Sequence, residues 1–184
     1  MTQTQSSAPS SAQSSAQELR TGTRTFTWTS PGQLDLSEMV ELDGLGQLQA
    51  MVEGTAPRPP IMDTLDICGF HPEKGRVVVE LRAQEFHYNP LGTVHGGVLA
   101  TLLDTAAACS VHSTLGVGEM YTSMDLTTKF LRAATVDSGL LTCEGTVLQR
   151  GRRTALAQAS LTDEQGRLIA HATSTCMIFH AAQG

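Results

Sequence analysis

The stretch that most constrains this chain is NPLGTVHGGVLATLLDTAA, residues 89–107, because it opens a long apolar run and places one acid inside it. Asp104 is the only formally charged residue between Val98 and Gly118. Apolar or small residues occupy nearly every angular position of a helix with this sequence, so the helix is predicted to be buried on most sides. Asp104 is then at least partly buried. A buried carboxylate is costly unless it finds hydrogen bonds or a cleft.

Two explanations of this buried acid are open. In the structural one, Asp104 bonds backbone groups or a threonine across a subunit contact. The functional one starts upstream, where Gly96 and Gly97 begin the helix without side chains and leave N–H groups aimed outward. Such a helix N-terminus binds an anion, or the oxygen of a carbonyl group that is becoming one.

Distance limits how these two features can cooperate. Asp104 lies nine positions after His95, about two and a half turns along the same helix, or roughly 13 Å at ~1.5 Å per residue. Both features therefore cannot act on one atom within one chain. Either they are unrelated, or a second copy of the chain brings its own Asp104 across.

The flanking segments predict an α+β fold. From Leu34, apolar residues at spacings of three and four predict an amphipathic helix that ends near Gly54, where TAPRPP follows. TLDICGFHPEKGRVVVELRA predicts a hairpin. Beyond the long helix, four segments with alternating or β-branched residues and short turns predict an antiparallel meander. The order favours an antiparallel sheet of about six strands wrapped around one long central helix, with an extra N-terminal helix.

Composition excludes several function classes. The chain has 184 residues, enough for one domain, and its net charge of −6 argues against nucleic acid and anionic membranes as partners. The first stretch, MTQTQSSAPSSAQSSAQ, lacks the features of a secretory signal, and no window is long and apolar enough to span a bilayer. We therefore predict a cytoplasmic protein.

Metal and cofactor chemistry is not indicated. The four cysteines form no C-x-x-C pair, and the histidines lack ligand spacing, so reduced thiols and no metal are predicted. Nucleotide-binding glycine loops and the G-x-S-x-G elbow of serine hydrolases are absent from the sequence. We expect no cofactor.

Four motifs together resemble a known family. N-x-x-G-x-x-H-G-G from Asn89, L-L-D ending at Asp104, S-M-D at 123–125 and G-R at 151–152 are similar to the hotdog-fold acyl-CoA thioesterases of the phenylacetate-pathway (PaaI) and 4-hydroxybenzoyl-CoA type. The resemblance covers about 62–179. It implies an acyl-CoA substrate and a homodimer whose subunits pair edge to edge and share their active sites, forming a dimer of dimers.

The resemblance also implies roles for five residues. The backbone N–H of Gly96 polarises the thioester carbonyl, and Asn89 supports the carbonyl or the water. Asp104 of the partner attacks directly or acts as general base on water, with a pKa raised by burial. Ser123 matches a hydroxyl that orients the water in part of the family, and His95 braces the loop; plain structural roles stay open for both.

Two departures place the chain within that family. The 4-hydroxybenzoyl branch has a glutamate as its acid and a threonine one turn later, whereas this chain has Asp104 and Ala108. The chain is therefore nearer the phenylacetate branch, and its water depends on Ser123 instead.

Coenzyme A carries phosphates, which require cationic groups near the site. Arg150, Gly151 and Arg152 lie in the densest basic cluster of the chain, which Arg153 completes, and with Gly97 they are the predicted substrate and CoA contacts. Solvated turn arginines are the structural alternative.

The resulting organisation is a Ser/Gln-rich disordered tail at 1–30, an N-terminal helix and Pro-rich linker at 31–60, and a hotdog thioesterase domain at 61–180. Two other functions on the same fold stay open: an acyl-CoA hydratase or dehydratase, and a non-catalytic acyl-CoA sensor. Release of free thiol from an acyl-CoA separates hydrolysis from both. The acyl group itself, aryl or short to medium, is not specified by the sequence.

Overall fold

The computed structural model of this protein describes residues 20–31 and 39–180. Within these residues, the main elements are three α-helices and seven strands. In chain order they are α1 (Gly44–Glu53), α2 (Pro60–Leu65), β1 (Ile67–Glu73), β2 (Arg76–Arg82), α3 (Gly96–His112), β3 (Glu119–Ser123), β4 (Thr127–Phe130), β5 (Leu140–Arg150), β6 (Thr154–Thr162) and β7 (Leu168–His180).

The strands form one antiparallel sheet in the order β1-β2-β5-β6-β7-β3, with β4 also paired to β7. Helix α3 packs against the inner face, chiefly on β5, β6, β2 and β7. A long helix held by a wrapped antiparallel sheet confirms the predicted α+β hotdog fold. The sheet has seven strands where about six were expected.

Helix α3 is buried on most sides, as its composition predicts. Leu102, Leu103, Ala106, Ala107 and Val111 have no exposed surface. The sheet approaches so closely that a Cβ on Gly145 of β5 would collide with the Ala106 carbonyl group. This close approach depends on small side chains at the contact.

The additional strand comes from a break in a segment that we predicted to be continuous. Between β3 and β4, the Asp125 carboxylate accepts the Thr175 N–H at 2.9 Å, and the Ser174 hydroxyl donates to the Asp125 carbonyl at 2.8 Å. These side-chain bonds replace ladder hydrogen bonds. The chain therefore pairs with β7 twice, before and after the break.

The N-terminal helix ends where it was predicted, with Gly54 as a left-handed cap at φ 77°, but it begins later than predicted. Asp43 is extended, and its side chain accepts the Gly46 N–H at 2.8 Å, so α1 starts at Gly44. Leu34, where we expected the start, lies outside the described residues. Helix α2, which the sequence did not indicate, begins with Pro60 at its first position, where a proline loses no hydrogen bond.

The segment before these helices is anchored to the domain. Residues 20–30, part of the predicted tail, run without helix or strand, and the first 19 residues of that tail lie outside the described part of the chain. Arg24 donates to the carbonyl groups of Asp63 and Thr64 and lies 4.6 Å above the Phe86 ring. None of the helices in the described ranges has the length and hydrophobicity that a bilayer crossing requires.

Candidate active site

The N-terminal end of α3 leaves one backbone donor free. His95 caps the helix, because its Nδ1 accepts the Gly97 N–H at 2.8 Å and its carbonyl accepts from Val98 and Leu99. Within the described residues, the Gly96 N–H has no acceptor. The expectation of an unbonded N–H is therefore wrong for Gly97, whose hydrogen is used by the cap.

A cavity of about 350 Å³ opens at this end of the helix. Its lining includes Asn89, Gly96, Phe130, Leu131 and Arg132. A Cβ on Gly96 would lie 3.3 Å from the Phe130 ring, so a larger residue would press on the cavity wall. The missing side chain thus lets a ligand oxygen approach the free N–H group.

Asn89 mainly shapes the loop that precedes the helix. Its side-chain oxygen accepts the N–H groups of Leu91 and Thr93, at 2.8 and 3.3 Å, and its Nδ2 donates to the Thr93 hydroxyl at 2.9 Å. The amide carries two donor hydrogens. One therefore stays available to a ligand in the cavity.

His87 is a supporting residue that the sequence reasoning missed. It is buried, its Nδ1 accepts the Gln84 N–H at 3.1 Å, and its Nε2 lies 2.9 Å from the Leu65 carbonyl. Burial lowers its pKa, so the ring is neutral. Its carbonyl accepts the His95 N–H at 2.8 Å, which fixes the capping residue. A lone histidine in a loop gives no sequence signal for this role.

Asp104 lies at the other end of the predicted pair, half-buried on α3. Burial raises the pKa of its carboxyl group, and hydrogen bonding to the Ser123 hydroxyl acts in the opposite direction. No ion pair neutralises Asp104 within the described ranges. A carboxylate that is partly desolvated and lacks a cation is a stronger base than an exposed one.

Two thiols and a phenol surround this acid, and none of them was predicted. Burial raises the pKa of Cys109 to about 12, and the Asp104 charge adds to the shift. Burial also raises the pKa values of Tyr121 and Cys176. All three groups therefore keep their protons at neutral pH, which leaves Asp104 as the only base in the cluster.

The two groups of residues lie at different places on the sheet. Ser123 pairs with Cys176 on β7, whereas Phe130, at the Gly96 cavity, pairs with Ala170. Those β7 positions are six residues apart, or roughly 20 Å at ~3.3 Å per residue. The structure thus brings Asn89, His95 and Gly96 together at one place, and Asp104 and Ser123 at another.

The basic turn, residues 150–153 between β5 and β6, lies on the same side of the sheet as Asp104. Arg150, Ala155, Cys176 and Ser123 lie in one ladder row across four strands. Arg150 forms an ion pair with Glu119, whose pKa is lowered first by the Gly116 N–H and then by this arginine.

The other members of the turn are less constrained. The Gly151 N–H donates to the Thr154 carbonyl at 2.8 Å, which closes the turn. Arg152 and Arg153 are exposed, without an ion pair to any described residue. Of the three arginines in this turn, Arg152 and Arg153 can therefore bind a phosphate without breaking an ion pair to a described residue.

The chain is similar in sequence to several proteins of one family. The model of the family described as Thioesterase superfamily matches residues 91–170. Acyl-coenzyme A thioesterase 13 of Homo sapiens is 31% identical over 106 residues, 55% of this chain and 71% of that protein. The 1,4-dihydroxy-2-naphthoyl-CoA hydrolase of Listeria monocytogenes is 28% identical over 109 residues, 59% of this chain and 87% of that one.

A solved structure agrees with both. The phenylacetic acid degradation-related protein of Ralstonia eutropha superposes with a TM-score of 0.64 and is 32% identical, covering 71% of this chain and 98% of that one. The residues that the family model matches, 91–170, contain α3 and the strands from β3 to β6.

Proposed function

This chain belongs to the thioesterase superfamily, and from that premise we propose that it hydrolyses acyl-CoA thioesters to a free acid and coenzyme A. One observation carries the proposal. Helix α3 has a free N–H at Gly96 and, further along, a carboxylate at Asp104 whose pKa is raised by burial. Polarising a carbonyl and activating water are the two tasks of thioester hydrolysis.

The active site is shared between two copies of the chain. Gly96 and Asp104 are too far apart in one copy to act on one carbonyl carbon, so the Asp104 of the partner completes the site. The edge formed by β3 and β4 suits such pairing, because it carries exposed apolar side chains at Met124, Phe130 and Leu131. Two such dimers associate in turn as a dimer of dimers.

The reaction follows from the positions of the polar groups. The Gly96 N–H, helped by the spare hydrogen of Asn89, donates to the carbonyl oxygen and stabilises the negative charge that develops there. Ser123 orients a water molecule beside the carbonyl carbon. Asp104 takes a proton from this water while the water oxygen bonds to that carbon. The C–S bond then breaks and the proton passes to the departing thiolate. His95 is a positioning residue, which holds the helix start in place.

Direct attack by Asp104 is the other route on the same atoms. The carboxylate bonds to the thioester carbonyl carbon, the C–S bond breaks and the thiolate leaves, which gives a mixed anhydride. Water opens the anhydride at the Asp104 carboxyl carbon, releases the acid and supplies the proton for the thiolate. A single turnover in ¹⁸O-labelled water separates the routes. Label appears in the Asp104 carboxylate only if the carboxylate itself attacked the thioester.

Coenzyme A adds an anionic end that the basic turn of Arg150, Gly151 and Arg152 can bind. Arg150 supports the turn through Glu119, while Arg152 and Arg153 meet the phosphates.

A mixed dimer tests the shared site. One chain carries Asn89→Ala and the other Asp104→Ala, so each homodimer should be nearly inactive. Refolded together, the heterodimer has one doubly defective site and one intact site, and thiol release should return with at most half of its sites working. Mass spectrometry confirms subunit exchange. A mixture that exchanges subunits but is as inactive as its parents would refute the shared site.

A further inference from the structure

Arg24 connects the N-terminal segment, residues 20–30, to the end of α2. Its guanidinium group donates to the Thr64 carbonyl at 2.7 Å and to the Asp63 carbonyl, and it lies 3.5 Å from the Asp66 carboxylate. The last carbonyl groups of a helix lack helical partners, and a planar guanidinium group can bond two of them at once. Arg24 therefore fixes the segment here by directional bonds.

The same guanidinium group contacts the 3₁₀ turn Glu85–His87, which we call the His87 turn. It lies 4.6 Å above the Phe86 ring, whose centroid is 4.2 Å from that of the His87 ring. A guanidinium group attracts an aromatic face at this distance. Arg24 therefore contacts α2 and the His87 turn at once and joins them.

His87 forms the second link between α2 and the His87 turn. Its Nε2 donates at 2.9 Å to the third of three successive carbonyl groups, residues 63–65, of which Arg24 bonds the first two. The His87 carbonyl accepts the N–H of His95 at 2.8 Å, immediately before Gly96. A continuous path of contacts therefore leads from Arg24 to the free N–H group.

The His87 turn is packed incompletely on the side that faces the segment. A cavity of about 600 Å³ lies there, and its lining includes Gly22 and Thr23 of the segment and Gln84 and Glu85 beside Phe86. The Phe86 side chain is 50% exposed. Because few atoms fill this space, loss of the guanidinium group would leave the turn free to shift into it.

We propose that Arg24 is a positioning residue for thioester hydrolysis: it holds the turn that fixes His95, and so aligns the Gly96 N–H group. This inference rests on the proposed function, in which that N–H group stabilises charge on the carbonyl oxygen. A donor must be aligned with the place where the negative charge develops, and small displacements lower kcat strongly. The N-terminal segment, which precedes the residues that the family model matches, thus contributes to turnover without touching the substrate.

Arg24→Ala tests this by removing the guanidinium group. Thiol release is measured with phenylacetyl-CoA and hexanoyl-CoA, and the kinetic constants are taken for whichever is hydrolysed faster. The variant should lower kcat about tenfold and change KM by less than about twofold, because the donor is displaced and not removed. Arg20→Ala is the matched control, since Arg20 is exposed in the same segment and has no ion pair with a described residue. It should leave both constants unchanged.

Two further measurements separate positioning from a general loss of stability. In a chain that already carries Gly96→Pro, which lacks the donor, Arg24→Ala should lower kcat by no more than about twofold. Hydrogen exchange of the His95 N–H, followed by NMR, should be at least about fivefold faster in Arg24→Ala, because its bond to His87 opens more often. Exchange of the amides in β5 should not change.

The outcomes separate the two levels of the proposal. An unchanged kcat, the same loss in Arg20→Ala, or a full tenfold loss in the presence of Gly96→Pro would overturn the role of Arg24 while hydrolysis itself stands. Equally faster exchange in β5 would overturn it too, because Arg24 would then act on overall stability. If the unaltered chain releases no thiol from either substrate, the proposed function fails, and the role of Arg24 in hydrolysis fails with it.

Discussion

The two places where α3 carries polar groups differ in how those groups are held. At the start of the helix, the His87 and His95 rings accept backbone N–H groups and the Asn89 amide donates to Thr93. These bonds fix the loop, and the Gly96 N–H keeps no acceptor among the described residues. At Asp104, no cation pairs with the acid among the described residues, and burial raises its pKa. A carbonyl binder needs fixed geometry, whereas a base needs a suitable pKa. The helix start has the fixed geometry, and Asp104 has the raised pKa, that the proposed hydrolysis requires of them.

Replacing Asp104 should reduce activity more than any other single substitution considered below. Asp104→Asn keeps the side-chain volume and removes the base, so kcat for thiol release should fall at least about a hundredfold. Burial raises the pKa of Asp104 above its value in the unfolded chain, so the ionised form opposes folding above that folded-state pKa. The neutral amide should therefore leave the melting temperature at pH 7 unchanged or higher.

Asp137→Asn is the control for this variant, because Asp137 is an exposed acid in the turn at Val136–Ser138. It should keep both activity and melting temperature. Near-normal thiol release by Asp104→Asn would contradict its role as base or nucleophile.

The next variant removes the free N–H group at the start of α3. Gly96→Pro removes the free N–H without costing a helical hydrogen bond, since proline is favoured at the first helical position. His95 before it has φ −61° and ψ 136°, a conformation that a following proline permits. The loss in kcat should be about a hundredfold, as for other oxyanion donors.

Gly96→Ala is the matched variant, because it adds a Cβ against Phe130 but keeps the N–H group. It should retain most of the activity that Gly96→Pro loses. Equal activity in the two variants would mean that crowding, and not the lost donor, limits the reaction.

The fold could be predicted well because its signals are local. The long apolar run from Val98 and the turns between alternating segments appear directly in the sequence. The division of β3 from β4 could not be predicted, since it depends on Asp125 bonding Thr175 fifty residues away. Helix α2 was missed because its first turn lies in a proline-rich stretch that also suits a linker.

The candidate site was predicted less completely. The positions of Gly96 and Asp104 on one helix follow from their spacing in the sequence. The capping of Gly97 by His95 depends on a side-chain orientation, and the support from His87 depends on a contact with Leu65. Neither has a spacing rule in the sequence. The pairing of Arg150 with Glu119 likewise requires the folded sheet.

Replacing Ser123 should have a smaller effect, which appears in the pH dependence of kcat/KM. Hydrogen bonding to Ser123 lowers the pKa of Asp104, so Ser123→Ala should raise that pKa further. A base must be ionised to act, so the fall of kcat/KM on the acid side should occur at higher pH in this variant. Thr122→Ala is the control, because alternate residues of a strand face opposite sides. If the fall of kcat/KM at low pH stays at the same pH in Ser123→Ala, Ser123 does not affect the pKa of Asp104.

The smallest expected change concerns where the nucleotide phosphates of coenzyme A bind, at the basic turn or at the Gly96 cavity. Arg152→Glu should raise KM for an acyl-CoA only a few-fold, because contacts of exposed charges are weak and screened by salt. KM for the matching acyl-pantetheine, which lacks the nucleotide phosphates, should not change. Arg82→Glu, on β2 away from the turn, controls for net charge. If Arg132→Glu, in the Gly96 cavity, raises KM selectively and Arg152→Glu does not, the phosphates bind at the helix start, and the basic turn has no part in binding.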